Sequence, residues 1–325
     1  MPGDSLVNPS WRPTATRETL ARRAALLAQA RKFFADRNVL EVDTPMLVNA
    51  PVTDVHIHSA EVRLQGTAQP FFLHTSPEYA MKRLLAAGSG DVYQICRVVR
   101  GLERGSLHNA EFTLVEWYRL GYSIEQLMAE VAALVCQVVG ERTTEYCTYR
   151  DAFVRELHVD PLVASLPELQ TAALGGGVDA ASCHELDRDQ LLDLLMGTIV
   201  GPRLGIGRLT FIHRYPASQA ALARLDPNDS RTALRFELYA DGIELANGFH
   251  ELASAADQRA RFEGDRELRK KLGLPVYAID ENLLSALEHG LPDCSGVALG
   301  FDRLAMLATG ARQIDEVLAF PIERA

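Results

Sequence analysis

Two strand–turn–strand patterns constrain the fold of this chain more than any other feature of its sequence. Residues 92–100 and 111–120 are predicted as strands joined by a long polar loop. The second pattern lies within 234–246, where only Asp241-Gly242, a strong two-residue turn signal, separates two further strands. Because such antiparallel hairpins are mixed with helical segments, the sequence predicts an α+β fold, an antiparallel β-sheet flanked by helices, and not a doubly wound sheet.

Helix signals accompany these strands. Apolar residues recur at helical spacing over 17–37, which predicts the first helix. The segment TSPE at 75–78 predicts a helix start, with a capping hydroxyl, proline at the first helical position and an acid in the first turn. The segment SIEQ at 123–126 is a capping box that opens another helix.

The domain organisation follows from the same signals. Because the first helix begins near residue 17, we expect 1–16 to be an N-terminal extension. The pattern weakens over 150–205, where 185–196 is the clearest predicted helix. We expect one domain over 17–325, with 150–205 as an elaboration within it.

Composition and charge restrict the class of protein. The net charge is −10, and the Lys and Arg clusters are short and interleaved with acids, so the sequence has no basic stripe for a polyanion. It also lacks an apolar run of eighteen residues and a signal-peptide pattern. Five scattered cysteines favour reduced thiols. We expect a cytoplasmic protein without a membrane partner or a zinc site.

Two arginines stand where a predicted strand meets a loop or a helix. Arg100 lies in RVVRGLERGSLHNAEFTLVEWY (97–118), and Arg303 lies in GVALGFDRL (296–304). The arginine side chain presents a planar fork of donors that matches phosphate and carboxylate, and Gly300 would let a nucleotide approach the backbone closely. The two segments together predict a clamp for the polyphosphate of a nucleotide.

The hairpin at 234–246 carries two acids that could bind a cation. With Asp241-Gly242 as the turn, Tyr239 would lie opposite Glu244 and Glu237 opposite Ala246. Adjacent carboxylates repel each other unless a cation lies between them, and Mg²⁺ bound to a substrate phosphate is one solution. Two solvated acids on an exposed sheet face are the alternative.

Glu116 is predicted on a strand face that it shares with Phe112, Leu114 and Tyr118. An acid among apolar neighbours is costly unless it is paired. Glu116 therefore requires a cation, either a bound amine or a neighbouring arginine such as Arg97 or Arg100.

Glu251 follows a possible interruption of the sheet. Asn247-Gly248 signals a turn or a bulge, which would redirect Phe249 and Glu251. A glutamate directed into a pocket would suit an ammonium ligand, whereas an ordinary solvent-facing acid is the alternative.

Several of these segments resemble the motifs of class II aminoacyl-tRNA synthetases. CRVVRGLERGSLHNAEFTLVEWY (96–118) resembles motif 2, GVALGFDRL (296–304) resembles motif 3, and VLEVDTPML (39–47) resembles motif 1, the dimer-forming element. TSPEYAMKRLL (75–85) and GIELANGFHEL (242–252) are similar to the lysyl-specific subgroup. The resemblance spans nearly the whole chain and implies a class II synthetase-like catalytic domain and a homodimer.

Within this subgroup the chain resembles stand-alone paralogues that attach (R)-β-lysine to elongation factor P. The helix near residue 17 leaves no room for the anticodon-binding barrel that lysyl-tRNA synthetases carry, and PASQAALA (216–223) and PDCSGVALG (292–300) fit the paralogues. Ala298 stands where lysyl-tRNA synthetases have glycine. The resemblance implies ATP and Mg²⁺ as cofactors, elongation factor P and (R)-β-lysine as partners, and no tRNA.

The resemblance also implies roles for individual residues. Arg100 and Arg303 would be catalytic, and Glu237 and Glu244 would bind the metal ion. ATP would contact Arg100, Leu102, Glu103, His108, Asn109, Phe112, Glu244, Leu245, Gly300 and Arg303. The amino-acid substrate would contact Ser76, Pro77, Glu78, Glu116, Tyr118, Asn247, Phe249, Glu251 and Ala298.

Two positions depart from the family pattern. Leu102 stands where family members have a glutamate that accepts from the adenine amine, and Leu107 stands where a large polar or basic residue is usual. Glu103 could shift into the missing position, Arg104 could compensate on the phosphates, or ATP could bind more weakly. Two other hypotheses therefore remain: an enzyme that forms α-lysyl-adenylate, and a silent paralogue that binds a nucleotide or an amino acid as a regulator.

Overall fold

The computed structural model of the protein describes residues 11–101 and 103–325. Its strands are β1 (Leu40–Glu41), β2 (Leu47–Val48), β3 (Glu61–Val62), β4 (Phe71–Leu73), β5 (Val92–Val99), β6 (Glu111–Leu120), β7 (Thr144–Thr148), β8 (Leu209–Pro216), β9 (Leu225–Asp226), β10 (Asp229–Ala240), β11 (Ile243–His250) and β12 (Cys294–Gly300). Its α-helices are α1 (Arg17–Ala35), α2 (Glu78–Ala86), α3 (Ile124–Val139), α4 (Tyr149–Leu157), α5 (Leu166–Gly175), α6 (Ala180–His184), α7 (Arg188–Leu195), α8 (Ala255–Lys271), α9 (Glu281–Gly290) and α10 (Phe301–Thr309).

Local capping signals set the ends of the first helices. The Thr16 side chain accepts a hydrogen bond from the Thr19 backbone N–H, so α1 starts where the sequence predicts. The predicted capping box of Ser123 and Gln126 opens α3, and Gly140 ends that helix. Both helices are confirmed because these signals act within a few residues of the helix end.

The strands form a large mixed sheet in the order β1-β5-β6-β12-β11-β10-β8-β7, with β9 paired to β10. The central pairs are antiparallel, as predicted, whereas β1 with β5 and β7 with β8 are parallel pairs at the two edges. A second sheet has the order β2-β4-β3. The α+β prediction is confirmed.

The predicted register of the β10–β11 hairpin is correct only next to the turn. Tyr239 pairs with Glu244 as expected, but Glu237 pairs with Asn247 and not with Ala246. A β-bulge lies between these pairs, and it displaces the rest of β11 by one residue relative to β10. A bulge of this kind has no local signal in the sequence, so simple counting from the turn failed.

The bulge or turn predicted at Asn247-Gly248 is wrong, because both residues lie inside β11 and pair with β10 and β12. Gly248 has a packing role instead. A Cβ atom there would lie 2.5 Å from the ring of Phe236, so only glycine lets the two strands and this ring pack together. β11 thus continues to His250.

The two faces of the central sheet are covered by different helices. On one face, α1, α3 and α10 bury a cluster in which the rings of Phe34 and Tyr93 stack with centroids 4.3 Å apart. On the other face, α2, α8 and α9 pack around Met81, Tyr118 and Phe262. Because successive side chains of a strand point to opposite faces, β6 gives one set of residues to each side.

The region 150–205 forms a helical layer at the end of the sheet. Its helices α4 to α7 bury a separate apolar cluster that includes Ile212 and Tyr215 of β8 and Tyr239 of β10. The predicted helix at 185–196 is α7, which a π-helical turn at Met196–Val200 extends. Within 11–101 and 103–325, no helix is long and apolar enough to cross a bilayer.

Candidate active site

A cavity of about 1110 Å³ opens between the sheet, the start of α2, the start of α10 and the layer at 150–205. The predicted site residues that line it are Ser76, Pro77, Glu78, Arg100, Glu103, His108, Asn109, Phe112, Glu116, Tyr118, Glu244, Leu245, Asn247, Phe249, Glu251, Ala298, Gly300 and Arg303. Glu237 does not line the cavity, and Leu102 lies outside the described residues. Segments distant in the sequence therefore converge on one cavity.

Arg303 projects from the first turn of α10 and is oriented by hydrogen bonds to two elements, β11 and the loop before β6. Its Nη1 donates to the backbone oxygen of Glu244 (2.9 Å), and its Nε donates to the backbone oxygen of Leu107 (3.3 Å). Its Nη2 donates to Nε2 of His108 (2.6 Å). Burial and the charge of Arg303 lower the pKa of His108, so the imidazole is neutral and can accept this bond.

Arg100 lies at the end of β5 and faces the same groups. Its Nε donates to the backbone oxygen of Thr75 (3.2 Å), and its guanidinium lies 5.2 Å from the centroid of the Phe112 ring. The charge of Arg100, like that of Arg303, lowers the pKa of His108. The two guanidinium groups therefore both lie near His108 at the cavity. This is the geometry that an anionic ligand requires.

Glu103 and Arg104 are the two residues that could compensate for the glutamate missing at position 102. The loop after Arg100 places them differently. Glu103 lines the cavity, and its Oε1 lies 3.9 Å from Nη1 of Arg100. Arg104 instead forms ion pairs with Asp315 (2.8 Å) and Glu323 in the C-terminal segment. Of these two residues, only Glu103 therefore lies at the cavity beside Arg100.

Asn109 has a structural role beside the cavity. Its Nδ2 donates to the backbone oxygen of Glu111 (2.7 Å), and its Oδ1 accepts from the backbone N–H of Ile322 (3.0 Å). Because the amide is used on both sides, Asn109 orders the loop before β6 and connects it to the C-terminal segment. A direct contact of Asn109 with a nucleotide stays a prediction.

The sequence analysis missed Asp302, which positions the start of α10. Its buried carboxylate accepts from Nη2 of Arg23 on α1 (2.5 Å) and from the backbone N–H of Thr113 on β6 (2.7 Å). These two bonds join α10 to β6 and to α1, so they also place Arg303 relative to Phe112. In the sequence, the only signal for this role of Asp302 was its position next to the arginine of motif 3.

Glu244 and Glu237 differ in their surroundings. Glu244 lies at the cavity with 40% of its side chain exposed, and its Oε2 is 3.3 Å from Nη1 of Arg303. Burial and repulsion from Glu237 raise the pKa of Glu244. Glu237 is buried behind it and accepts from Arg235 (2.6 Å) and from Tyr239 (2.7 Å). Neither acid is a freely solvated one on an exposed face.

These two carboxylates fit a magnesium ion that is bound mainly by phosphate. The described residues contain no group of three acid, histidine or cysteine side chains placed to bind a metal ion. Mg²⁺ needs only one or two protein carboxylates when phosphates and water complete its octahedron. Repulsion between Glu237 and Glu244 would be relieved by a cation near both.

Glu116 lies deep in the cavity, and no arginine within 11–101 and 103–325 pairs with it. Its Oε2 accepts from the Ser76 hydroxyl (2.7 Å), and its Oε1 accepts from the Tyr118 hydroxyl (2.8 Å). The alternative of a structural pair with Arg97 or Arg100 is therefore wrong. Burial, and repulsion from a nearby glutamate, raise the pKa of Glu116 to about 8.

Helix α2 presents a second acid at the same end of the cavity. Pro77 is the N-cap residue of α2, so the helix begins one residue later than predicted, and the Ser76 hydroxyl accepts from the backbone N–H of Glu78 (3.0 Å). The same hydroxyl donates to Glu116, so one serine connects the start of α2 to β6. Glu78 is thereby placed in the first turn, beside Glu116.

Glu251 is buried, so the alternative of a solvent-facing acid is wrong. Its Oε2 lies 2.6 Å from Nζ of Lys82, and the same Nζ lies 2.7 Å from Oε1 of Glu78. Lys82 exposes only 1% of its side chain and does not line the cavity. The sequence analysis missed this lysine, although Glu78 and Lys82 have the i, i+4 spacing of a helical ion pair.

The register of β11, β12 and β6 places three predicted substrate residues side by side. Ala298 of β12 pairs with Asn247 of β11 on one side and with Glu116 of β6 on the other. Asn247 Oδ1 accepts from Nε of Arg235 (3.2 Å), and all of these side chains line the cavity. A change of volume at Ala298 therefore acts directly between Glu116 and Asn247.

Comparison with known proteins identifies the family of this chain. A family model described as tRNA synthetases class II (D, K and N) matches residues 9–324. The chain belongs to this family. Membership implies the use of ATP, and it confirms the family that the motifs predict.

Similar curated proteins carry a more specific name. The elongation factor P–(R)-β-lysine ligase of Edwardsiella ictaluri is 51% identical over 320 residues, which are 97% of this chain and 98% of that protein. The ligase of the same name from Klebsiella pneumoniae is 50% identical over 320 residues (97% and 98%). The one from Vibrio atlanticus is 50% identical over 319 residues (97% and 99%).

We expect the variant Glu116→Gln to gain stability relative to the wild type as the pH rises. The pKa of Glu116 is about 8 in the folded protein, whereas an exposed glutamate titrates near pH 4.5. Between these values the folded protein retains a proton that the unfolded chain releases, so wild-type stability falls as the pH increases.

Urea unfolding of the unliganded protein at pH 5 and pH 8.5 measures this effect. The difference in the free energy of unfolding between variant and wild type should grow by on the order of 2 kcal/mol over this range. Glu263→Gln on the exposed side of α8 is the control and should show no such trend. A difference that is constant with pH would show that Glu116 ionises normally.

Proposed function

We propose that the protein activates (R)-β-lysine with ATP as an acyl-adenylate and transfers the β-lysyl group to the ε-amine of a lysine on elongation factor P. The observation that carries this proposal is the convergence of Arg100 and Arg303 beside a pocket that contains three acids, Glu78, Glu116 and Glu251. A clamp for anionic groups adjoins a site for ammonium groups. The names of the relatives support the same reaction.

The first step requires no nucleophile from the protein. A carboxylate oxygen of β-lysine attacks the α-phosphorus of ATP, the bond from that phosphorus to the bridging oxygen breaks, and pyrophosphate leaves. Arg100 and Arg303 would stabilise the negative charge that develops on the phosphoryl oxygens. The Phe112 ring, next to Arg100, would contact the adenine from one side, and Arg303 would contact it from the other.

In the second step, the neutral amine of the acceptor lysine attacks the acyl carbon. The bond to the adenylate oxygen breaks, AMP leaves, and the amine proton passes to solvent, so the product is an amide. The cavity extends to α7 of the layer at 150–205, and its volume of about 1110 Å³ would leave room for an acceptor side chain. We propose a protein acceptor and not tRNA, in agreement with the net charge of −10.

Mg²⁺ would bind near Glu244, with Glu237 behind it. The ion would supply positive charge to the phosphates of ATP. The protein's own part is to orient these acids: Arg235 and Tyr239 donate to Glu237, and Arg303 contacts Glu244.

We also propose a homodimer, because Leu40 and Met46 in the motif 1 segment are exposed. Sedimentation of the protein as a monomer would contradict the homodimer.

The reaction itself is tested with the purified protein, ATP, (R)-β-lysine and elongation factor P. We expect β-lysine-dependent ATP–pyrophosphate exchange, and an increase in the mass of elongation factor P by one β-lysyl group. Exchange that prefers α-lysine would support an α-lysyl-adenylate enzyme, and no exchange with either amino acid would support a silent regulatory paralogue. A lysine-to-arginine variant of elongation factor P at the acceptor position is the control.

We expect Arg303→Ala to reduce adenylate formation by at least about a hundredfold, because a preorganised donor to the transition state is lost. The fold should remain, since Arg303 makes its hydrogen bonds at the cavity and not in the apolar core. Pyrophosphate exchange measures the first effect, and circular dichroism measures the second. Arg312→Ala, at an exposed arginine beyond α10, is the control. Unchanged exchange in Arg303→Ala would contradict the assignment.

We expect Ala298→Gly to shift the preference toward α-lysine. The methyl group of Ala298 lies between Glu116 and Asn247, so its removal enlarges the pocket where the amino group nearest the carboxylate would bind. The measurement is the ratio of kcat/KM for β-lysine to kcat/KM for α-lysine in pyrophosphate exchange, and we expect a change of roughly tenfold. An unaltered ratio would mean that other residues set this selectivity.

A further inference from the structure

We propose that Lys82 is a positioning residue for amino-acid selectivity, whose buried ammonium orients Glu78 and Glu251 and offsets one of the three carboxylates of the pocket. When all three carboxylates are ionised, the pocket then carries the net charge of minus two that a ligand with two ammonium groups balances. This inference rests on the proposed function and specifies its substrate class as a diamino acid whose two amines are both protonated.

The contacts of Lys82 exclude a direct role in binding. Its Nζ lies between Oε1 of Glu78 (2.7 Å) and Oε2 of Glu251 (2.6 Å), and its side chain is 99% buried and does not line the cavity. The two glutamates line the cavity in front of it. Lys82 therefore acts on a ligand only through these carboxylates.

Glu251 has one oxygen left for a ligand. Beyond the Lys82 ion pair, neither of its oxygens accepts a hydrogen bond from any of the described residues. A Cβ atom at Gly296 would lie 2.6 Å from Oε1 of Glu251 and 2.2 Å from the ring of Tyr118. Only glycine at position 296 therefore leaves space for both the Tyr118 ring and Oε1 of Glu251.

The charge balance follows from the groups at this end of the cavity. Glu78, Glu116 and Glu251 contribute three negative charges when ionised, and Lys82 contributes one positive charge. Other titratable groups that face them are Tyr79 on α2, Cys96 on β5, Tyr118 on β6, Cys294 on β12 and Arg224, whose guanidinium donates to the backbone oxygen of Glu251. Buried charge that is left unbalanced is costly, so a ligand with two ammonium groups is preferred to a monoamine.

Burial disfavours the ionised form of Glu251, whereas the charge of Lys82 favours it. Burial raises the pKa of Glu251 to about 7, although the Lys82 charge lowers it. The pKa of Lys82 itself is raised by Glu251 and Glu78 against the effect of burial, so this lysine remains protonated. Without the lysine, Glu251 would ionise only at higher pH.

The test compares wild type, Lys82→Met and Lys82→Arg in ATP–pyrophosphate exchange from pH 6 to pH 9. At pH 7 we expect Lys82→Met to raise the KM for (R)-β-lysine at least about tenfold, as one partner of a buried charge pair is lost. The KM for ATP should change less than about twofold, since the altered pair lies outside the nucleotide site. Lys82→Arg should recover most of the loss because it keeps the charge. Lys270→Met, at an exposed lysine in α8, is the matched control.

The pH profile distinguishes positioning from a purely structural role. The ratio of wild-type to Lys82→Met kcat/KM should fall as the pH rises, because Glu251 then ionises without the lysine. A ratio that is the same at every pH, or an unchanged KM for β-lysine, would overturn the inference and leave the proposed function intact. Absence of exchange in the wild type would instead overturn the proposed function, and this inference with it.

A measurement on the wild type covers the case in which Lys82→Met does not fold. Calorimetry compares (R)-β-lysine with 6-aminohexanoate and with 3-aminohexanoate, each of which lacks one of the two amines. Charge balance predicts that both monoamines bind at least about tenfold more weakly. Equal affinity of either monoamine would overturn the inference.

Discussion

The alignment of three adjacent strands, β6, β12 and β11, is the constraint on which the rest of the site depends. Their register places Glu116, Ala298 and Asn247 in one row across the sheet. Because side chains alternate along a strand, the same register sends Trp117 and Val115 to the opposite face, where α1, α3 and α10 cover them. One set of backbone hydrogen bonds thus creates both the largest apolar core and the floor of the cavity. A slip by one residue would exchange the two faces.

Electrostatics divides the cavity into two regions. At one end, Arg100 and Arg303 face His108, which burial and their charges keep neutral. At the other end, Glu116 is surrounded by hydroxyl groups, and Lys82 is the cation nearest to the remaining acids. A buried carboxylate with only neutral donors is unstable in its ionised form, so the unliganded pocket favours the arrival of positive charge. The proposed substrate has complementary charges in the same order, with the carboxylate at one end and the amines at the other.

The layer at 150–205 is connected to the catalytic sheet by a chain of polar contacts. Oδ1 of Asp193 on α7 accepts from Nε2 of Gln219 (2.8 Å), and the backbone oxygen of Gln219 accepts from Arg235 (2.7 Å). Arg235 then donates to Glu237 and to Asn247. These bonds give the layer a physical function: it supports the arginine that orients one acid of the proposed magnesium site and one residue of the amino-acid pocket.

The sequence by itself determined the elements whose signals are local. The strands on both sides of the Asp241-Gly242 turn, the capping box of α3 and the shared face of Phe112 and Glu116 all follow from residues a few positions apart. The motifs also placed Arg303 and most of the cavity residues correctly at this cavity. These features are predictable because short-range sterics and backbone hydrogen bonding decide them.

Only the tertiary structure decided which charges meet. The bulge in β11 placed Glu237 opposite Asn247 and not opposite Ala246. Lys82 looked like an ordinary helix lysine in the sequence, but the packing of α2 against the sheet buries it against Glu251. Contacts between residues more than a hundred positions apart depend on how the whole chain packs, and no local pattern records them.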